Sequence, residues 1–536
     1  MTTATVDPTC ILIEEETPYD RSLKWTIHHR YFKQRGNKAW LAGEVPYLIT
    51  SNTAAAMQNA RIVHEAAVRM TGEGTLKPNE PIVVVEMASG LGLFALNFIR
   101  AFQDIDREAG TNFSSRLRYY FTDFSEENVR NAADNPVFKN LENSGTIVFG
   151  ILDATKPQTI QRLDTKKQEP LPERITGVIG NYLHCCLPTA MLRKQDEILK
   201  QKHVKLSLRV PENVQDKEAY AREFVEKPVG EKITENLVED ISWHDLEDDF
   251  FDHPLHEDVI REGTVGFPVA SILYPRGSFA CIQGTLPRML EGSVFLISDK
   301  GYANKHYMRG ERACEPSIHG NSFAHSLNFP LVEILAKKLG HSAIRTTDTS
   351  LSIHTILIEK RPTSTLDRLF EELFVHGNEN VASSDFYAAG QKFEDAGEFD
   401  RACRFYERTL RFRRYDAHVY LRLGNCLAET GDYERAIDTL TAGRAYDNFR
   451  EYDFDFRIGY TYHKEQRYED ALNAYHESIR HFPSEITHYN IGLCEEELKN
   501  FDAAMRAYRA SIAINPNYEK ARTNLDRLAE KLAVAA

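Results

Sequence analysis

The sequence predicts two unlike parts: a doubly wound α/β domain carrying an insertion, then an all-α helical solenoid. Three observations carry this reading. The run Pro81-Ile-Val-Val-Val-Glu86-Met-Ala-Ser-Gly90-Leu-Gly92-Leu-Phe reads as a buried strand, a turn with two glycines and a helix. Upstream of about residue 363, β-rich and helical patterns alternate, as a mostly parallel sheet requires. Downstream, glycines and alanines recur at intervals of 33 to 35 residues.

Taken in chain order, residues 1–20 read as an N-terminal tail and 21–362 as the α/β domain. Its strands are expected at Ile82–Glu86, Leu117–Thr122, Thr146–Ile151, Gly177–Ile179, Ser293–Ile297 and Ser352–Glu359, all rich in β-branched or aromatic residues. Helical spacing falls between them at Leu93–Glu108, Glu126–Asn135 and Pro330–Leu339. The acidic stretch of about 211–262, including Glu247-Asp-Asp-Phe-Phe-Asp252, reads as a solvated insertion, with a substrate-covering lid as the alternative. Polar residues after Pro362 mark a linker over 363–383.

From 384 to 536 the chain repeats. Gly390, Gly424, Gly459 and Gly492 are each followed 12 residues later by Ala402, Ala436, Ala471 or Ala504, and four residues further by Tyr406, Leu440, Tyr475 or Tyr508. Small residues let paired helices approach, and the bulky ones are expected to fill the gaps between neighbouring units. The pattern resembles the tetratricopeptide repeat: four units, closed by a charged capping helix over Tyr518–Leu532.

Composition excludes several classes. A net charge of −14 leaves no basic surplus for replacing phosphate counterions, so no nucleic-acid partner is expected, and a basic peptide suits better. No apolar run approaches the roughly 20 residues that cross a bilayer, and Met1–Asp20 lacks a signal-peptide pattern, so no membrane partner is expected. Eight scattered cysteines without Cys-x-x-Cys indicate neither a zinc site nor a disulfide framework; no metal is expected and the cytoplasm is the expected home.

The turn after Glu86 lacks the third glycine or the Gly-Lys-Ser/Thr ending of phosphate loops, and its glutamate would repel a pyrophosphate. Glu-x-x-x-Gly-x-Gly thus resembles the first motif of class I S-adenosylmethionine methyltransferases. That resemblance implies S-adenosyl-L-methionine as cofactor, held by the loop Ala88, Ser89, Gly90 and Gly92, with Glu86 orienting the methionyl ammonium. Gly90 and Gly92 would lie beneath the methionine part and the ribose. Asp123 would accept from the ribose hydroxyls, Asp153 beside Ala154 would flank the adenine, and Asn181 would complete the site. Each aspartate has a plainer reading: Asp123 as a helix cap and Asp153 as a turn residue.

More of the chain joins this resemblance. Tyr47-Leu-Ile-Thr50-Ser51-Asn52, Gly180-Asn181-Tyr182-Leu-His184-Cys185-Cys-Leu187-Pro188, Phe295-Leu-Ile-Ser-Asp299-Lys-Gly301-Tyr302, and His319 to Asn328 opening a helix, together look like the MidA family of methyltransferases. The similarity covers roughly residues 20–362. Where that family has two acids able to hold a guanidinium, this chain has Tyr182 and Cys185, so its arginine methylation does not carry over. Candidate catalytic groups are Asn181, Tyr182, His184 and Asp299, at the ends of the fourth and fifth strands. His184 is the best base by type, although a lone histidine in an apolar stretch is more often packed. Tyr182 also suits the core, and Cys185 and Cys186 read as small core residues.

The resulting expectation is a methyltransferase whose repeats recruit or position a protein or peptide acceptor. Two alternatives stand beside it: a small-molecule N- or O-methyltransferase using the repeats for homodimerisation, and a non-catalytic scaffold with a vestigial cofactor fold.

Overall fold

Seventeen strands and two sets of helices build the described part of the chain. The computed structural model describes residues 9–36, 52–227, 234–319, 322–349, 351, 353–376, 379–447 and 450–535. Two compact units divide at residues 378 and 379.

The strands are β1 (Cys10–Pro18), β2 (Ile82–Met87), β3 (Leu117–Asp123), β4 (Ile147–Ile151), β5 (Thr159–Arg162), β6 (Gln168–Pro170), β7 (Ile175–Asn181), β8 (Ala190–Gln195) and β9 (Ile198–Arg209). They continue with β10 (Leu237–Asp245), β11 (Val269–Tyr274), β12 (Met289–Tyr302), β13 (Ser317–His319), β14 (Ser322–Ala324), β15 (Leu327–Asn328), β16 (Ser342–Arg345) and β17 (Ile353–Glu359). Helices of this unit are α1 (Leu23–Arg35), α2 (Thr53–Gly72), α3 (Leu93–Ala109), α4 (Glu126–Asp134), α5 (Pro136–Asn143), α6 (Lys217–Glu226), α7 (Pro254–Gly263), α8 (Arg276–Thr285) and α9 (Phe329–Lys338).

The large sheet runs β16-β17-β12-β7-β2-β3-β4-β5-β6, with β15 beside β12. Strands β12, β7, β2, β3 and β4 are mutually parallel, whereas β17 is antiparallel to both neighbours. Counting the parallel strands in chain order gives 3-2-1-4-5, so the order reverses between β2 and β7. A crevice opens beyond the strand ends at such a reversal. All six residues of β2 are buried, which explains its unbroken apolar run: a parallel strand covered on both faces has no solvent side to alternate with.

A second, antiparallel sheet was not foreseen. Residues 10–18, expected as tail, form β1, which pairs with β9 from Cys10–Arg209 to Pro18–His203. Strand β9 is long enough to pair β8 near its start and β1 further along, while β10 runs on its other edge. The acidic stretch therefore contributes structure: β10 joins this sheet, and α7 sends Val259 and Ile260 into the main core. Glu239 of β10 pairs with Lys24 at 2.5 Å and Lys202 at 3.2 Å, both lysines nearly buried. Acidity here compensates buried cations as well as solvating a surface.

Two further expectations change. The segment 363–383 holds a helix at Asp367–Phe370 that continues to His376, with Leu366, Phe370, Leu373 and Phe374 buried. Their helical spacing packs what polar flanks made look like a linker. His319 ends β13 and His325 follows β14, so neither opens a helix; that helix is α9, capped by Asn328. The segment 47–51 lies outside the described residues.

The second unit is four helix pairs and a final helix: α10 (Glu379–Asp395) with α11 (Phe399–Phe412), α12 (Ala417–Thr430) with α13 (Tyr433–Tyr446), α14 (Phe454–Lys464) with α15 (Tyr468–His481), α16 (Glu485–Glu497) with α17 (Phe501–Ile514), and α18 (Glu519–Ala535). The bulky residues serve both contacts: each packs on the glycine of its own pair and shares an apolar cluster with the next unit, Tyr406 with Val419 and Leu423, Leu440 with Phe454 and Ile458, Tyr475 with Ile491 and Cys494, and Tyr508 with Ala521 and Leu528. A Cβ at Gly390 would stand 2.6 Å from Tyr406, at Gly424 2.5 Å from Leu440, at Gly459 2.7 Å from Tyr475 and at Gly492 2.4 Å from Tyr508. Acid–base pairs also link successive first helices: Glu394 to Arg422 at 2.6 Å, and Glu429 to Lys464 at 2.9 Å. Because Tyr475 is fully buried on Gly459, Gly459→Val should destabilise α14 and α15 by roughly 1–3 kcal/mol through overpacking. Hydrogen exchange of the full-length protein should show faster exchange there and none in β2 or β7.

Candidate functional site

The crevice beyond β2, β3, β4 and β7 is a cavity of about 460 Å³. Its floor is the loop after β2, where Ala88 (φ 60°), Gly90 (φ 54°) and Gly92 (φ 89°) all adopt left-handed backbone. Glycine takes that conformation without the steric cost an alanine bears. Four hydrogen bonds fix the loop on β3. Ser89 N–H donates to Thr122 O at 2.9 Å, Thr122 N–H to Ser89 Oγ at 3.2 Å, Thr122 Oγ1–H to Glu86 O at 2.6 Å, and Gly90 N–H to Asp123 Oδ2 at 3.1 Å. Gly92 lines the cavity, but its missing side chain makes room for something else: a Cβ there would stand 2.9 Å from Phe138 and 3.0 Å from Phe121. It lets α3 start close against the core.

Three carboxylates from adjacent strand ends line the cavity. Glu86 is buried, and Tyr119 Oη–H donates to its Oε2 at 2.9 Å. Burial raises its pKa to about 7, against the hydrogen bonds from Ser89 and Tyr119. Asp123, also buried, accepts from Ser125 N–H at 2.9 Å and the Asn128 amide at 3.3 Å, besides Gly90. Its pKa is raised by burial, with those bonds opposing. The helix cap of α4 is Ser125, so Asp123 supports the cap from behind while facing the cavity. Asp153 is exposed; its Oδ1 accepts from Thr155 N–H at 2.9 Å and Thr155 Oγ1–H at 2.7 Å, an Asx turn beside Ala154.

The candidate catalytic residues separate into two groups. Asn181 and Tyr182 line the cavity. Both amide atoms of Asn181 and the Tyr182 hydroxyl are buried with no partner among the described residues, and Tyr182 sits at φ 51° with its N–H on Ser298 O at 3.0 Å. His184 and Asp299 do not line the cavity. The His184 ring packs beside Gly180 and 6.1 Å from the Phe295 ring, and burial lowers its pKa to about 3. That makes it neutral and a poor proton acceptor near neutral pH, contrary to its expected role as base. Asp299 positions: its Oδ2 accepts from Cys185 N–H at 3.0 Å and its Oδ1 from Lys300 N–H at 2.7 Å. Burial raises Asp299 to about 6.

Sequence reasoning missed a whole wall. Helix α1 contributes His28, His29, Phe32 and Lys33. Their spacing placed them on one helical face, a signal present in the sequence but unused. Strand β1 sets that helix in position, because Glu14 accepts from Leu23 N–H at 2.7 Å and Ser22 Oγ–H at 2.5 Å. Cys185 and Cys186, read as core residues, also line the cavity.

With the geometry in hand, known proteins add one firm result. Models of the tetratricopeptide repeat match residues 394–453 and 456–531. The C-terminal helix pairs are tetratricopeptide repeats. Among solved structures, a MamA protein is 21% identical, over 28% of this chain and 81% of its own, with a TM-score of 0.25. MamA from residue 41 onward of Desulfovibrio magneticus RS-1 is 18% identical, over 28% of this chain and 86% of its own, with a TM-score of 0.27. No curated protein matches the chain. Among the described residues, no helix is long and apolar enough to cross a membrane, and no group of three or more His, Cys, Asp or Glu could hold a metal ion.

Burying Glu86 and Asp299 costs stability in a pH-dependent way. Each has its folded pKa raised, so the contribution to stability is fully present below the unfolded value and is lost as pH rises through about 6 for Asp299 and about 7 for Glu86. Glu86→Gln keeps an acceptor for Tyr119 without the charge. In urea titrations it should be more stable than the parent by about 3 kcal/mol at pH 8, with the gain vanishing near pH 4.

Proposed function

We propose that the α/β domain is an S-adenosylmethionine-dependent methyltransferase and that the repeats recruit or position a protein or peptide acceptor. One observation carries the first half: Glu86, Asp123 and Asp153 end three adjacent parallel strands and face one cavity at the point where strand order reverses. Three carboxylates disfavour a phosphate-bearing dinucleotide and suit a nucleoside with cationic groups. The unpartnered buried amide of Asn181 offers a further donor and acceptor.

On this reading Glu86 takes the methionyl ammonium, Asp123 the ribose hydroxyls, and Asp153 with Ala154 the adenine edge. The bound cofactor would supply an electrophilic methyl group on a sulfonium. The chain's part is orientation and proton removal. Asn181 and Tyr182 offer hydrogen bonds from the wall, and alignment alone can supply up to about 7–11 kcal/mol. His29 replaces His184 as the candidate base: it faces the cavity, and burial, with Lys33 adding to it, lowers its pKa from the ordinary value, against the pull of Asp153. A neutral imidazole at pH 7 can accept a proton. For the repeats, successive helix pairs present an extended surface of the kind that holds peptides.

Calorimetric titration with S-adenosylmethionine and its demethylated product tests the cofactor. Binding is expected, and its absence at millimolar ligand would sink the enzyme reading. Asp123→Ala should weaken binding about 10- to 100-fold, the worth of charge-assisted hydrogen bonds. Because a cation needs Glu86 ionised, affinity should fall by up to about tenfold per unit below pH 7 and level off above pH 8, and Glu86→Gln should abolish that slope. Labelled methyl transfer into a lysate, separated by size, then distinguishes a protein acceptor from a metabolite.

A further inference from the structure

Two thiols stand side by side on the cavity wall. Cys185 Sγ and Cys186 Sγ are 3.6 Å apart, and both residues line the cavity. Cys185 is 2% exposed and Cys186 half-buried, so one thiol is sheltered and the other accessible from the cavity. The turn carrying them, His184–Cys186, is pinned at both faces of Cys185: its N–H donates to Asp299 Oδ2 at 3.0 Å, and its carbonyl accepts from His325 N–H at 2.8 Å.

We infer that Cys185 and Cys186 form a redox-modifiable pair that closes to a disulfide under a hydroperoxide and reshapes the cavity wall. The Cys186 thiolate attacks one peroxide oxygen, breaking the O–O bond and leaving a sulfenic acid and hydroxide, which a proton converts to water. The Cys185 sulfur then attacks the sulfenic sulfur, its proton and the departing hydroxide leaving as a second water. Overall, two thiols and one hydrogen peroxide give one disulfide and two waters. An accessible attacking thiol beside a sheltered resolving one is the arrangement this sequence needs.

Adjacent Cα atoms across a trans peptide are about 3.8 Å apart, below the roughly 4.4–6.8 Å that most disulfides span. Closure must therefore twist the shared peptide, and such strained bonds are readily reduced. The twist acts on the group that Asp299 and His325 hold, and the same turn leads from Tyr182 into Leu187. A second pair of thiols, Cys403 and Cys426, lies in one apolar cluster inside the helical repeats, 7% and 1% exposed. It is the internal comparison.

The full-length protein is treated with graded hydrogen peroxide, the free thiols are alkylated, and peptides are mapped by mass. The peptide holding Cys185 and Cys186 should appear two hydrogens lighter and unalkylated at the lowest peroxide that modifies any cysteine, and dithiothreitol should restore it. Cys186→Ser should abolish the loss, and Cys185→Ser should leave Cys186 progressing to a sulfinic acid. Amide exchange at Cys185 and His325 should accelerate at least tenfold in the oxidised form. The inference is overturned if Cys403 and Cys426 close first, if Cys186 reaches a sulfinic acid with Cys185 still a thiol in the parent, or if the pair never closes. A disulfide that leaves those two amides protected would overturn the reshaping of the wall.

Discussion

The Asp123 carboxylate is the group on which the cavity depends. It collects the Gly90 N–H from one loop, and the Ser125 N–H and Asn128 amide from the start of α4. These donors belong to two different strand–helix turns, so one buried charge fixes both rims of the crevice at once. Burying a carboxylate costs several kcal/mol unless donors replace its water, and here backbone groups do so at fixed positions. The loop can then hold three left-handed residues, one of them Ala88, because its ends have nowhere else to go.

A similar economy shapes the opposite wall. The turn 184–186 takes its position from Asp299 below and His325 beside it, while α1 takes its position from Glu14 of β1. Arg276, clamped between Asp20 at 2.5 Å and Asp252 at 3.0 Å, ties the end of β1 to the acidic stretch. Charged residues that look like surface in the sequence thus serve as fasteners between segments far apart in the chain. Their partners are what remove the desolvation penalty, and those partners come from other elements.

Local pattern carried far in this chain where the physics is local. The strands from Ile82, Leu117 and Ile147 and the helices from Leu93, Glu126 and Phe329 fall within a residue or two of expectation, because burial on both faces writes itself into an apolar run and burial on one face into helical spacing. The glycine–tyrosine register of the repeats is legible for the same reason, the tyrosine packing on the glycine of its own pair and against the next unit. By contrast β1, β10 and the 367–376 helix were misread. Each is apolar on a narrow face and polar elsewhere, and only a partner shows which face is inside.

The sequence by itself determined the parallel-sheet domain, the repeat array, and the carboxylate at each of three strand ends, since each follows from a run or a spacing within one segment. Tertiary structure alone decided what those residues face. It turned His184 toward Phe295 and away from the cavity, made Asp299 a brace, brought α1 over the strand ends, and laid two neighbouring thiols on the wall. Orientation of a side chain depends on contacts from distant parts of the chain, and a linear pattern contains no record of them.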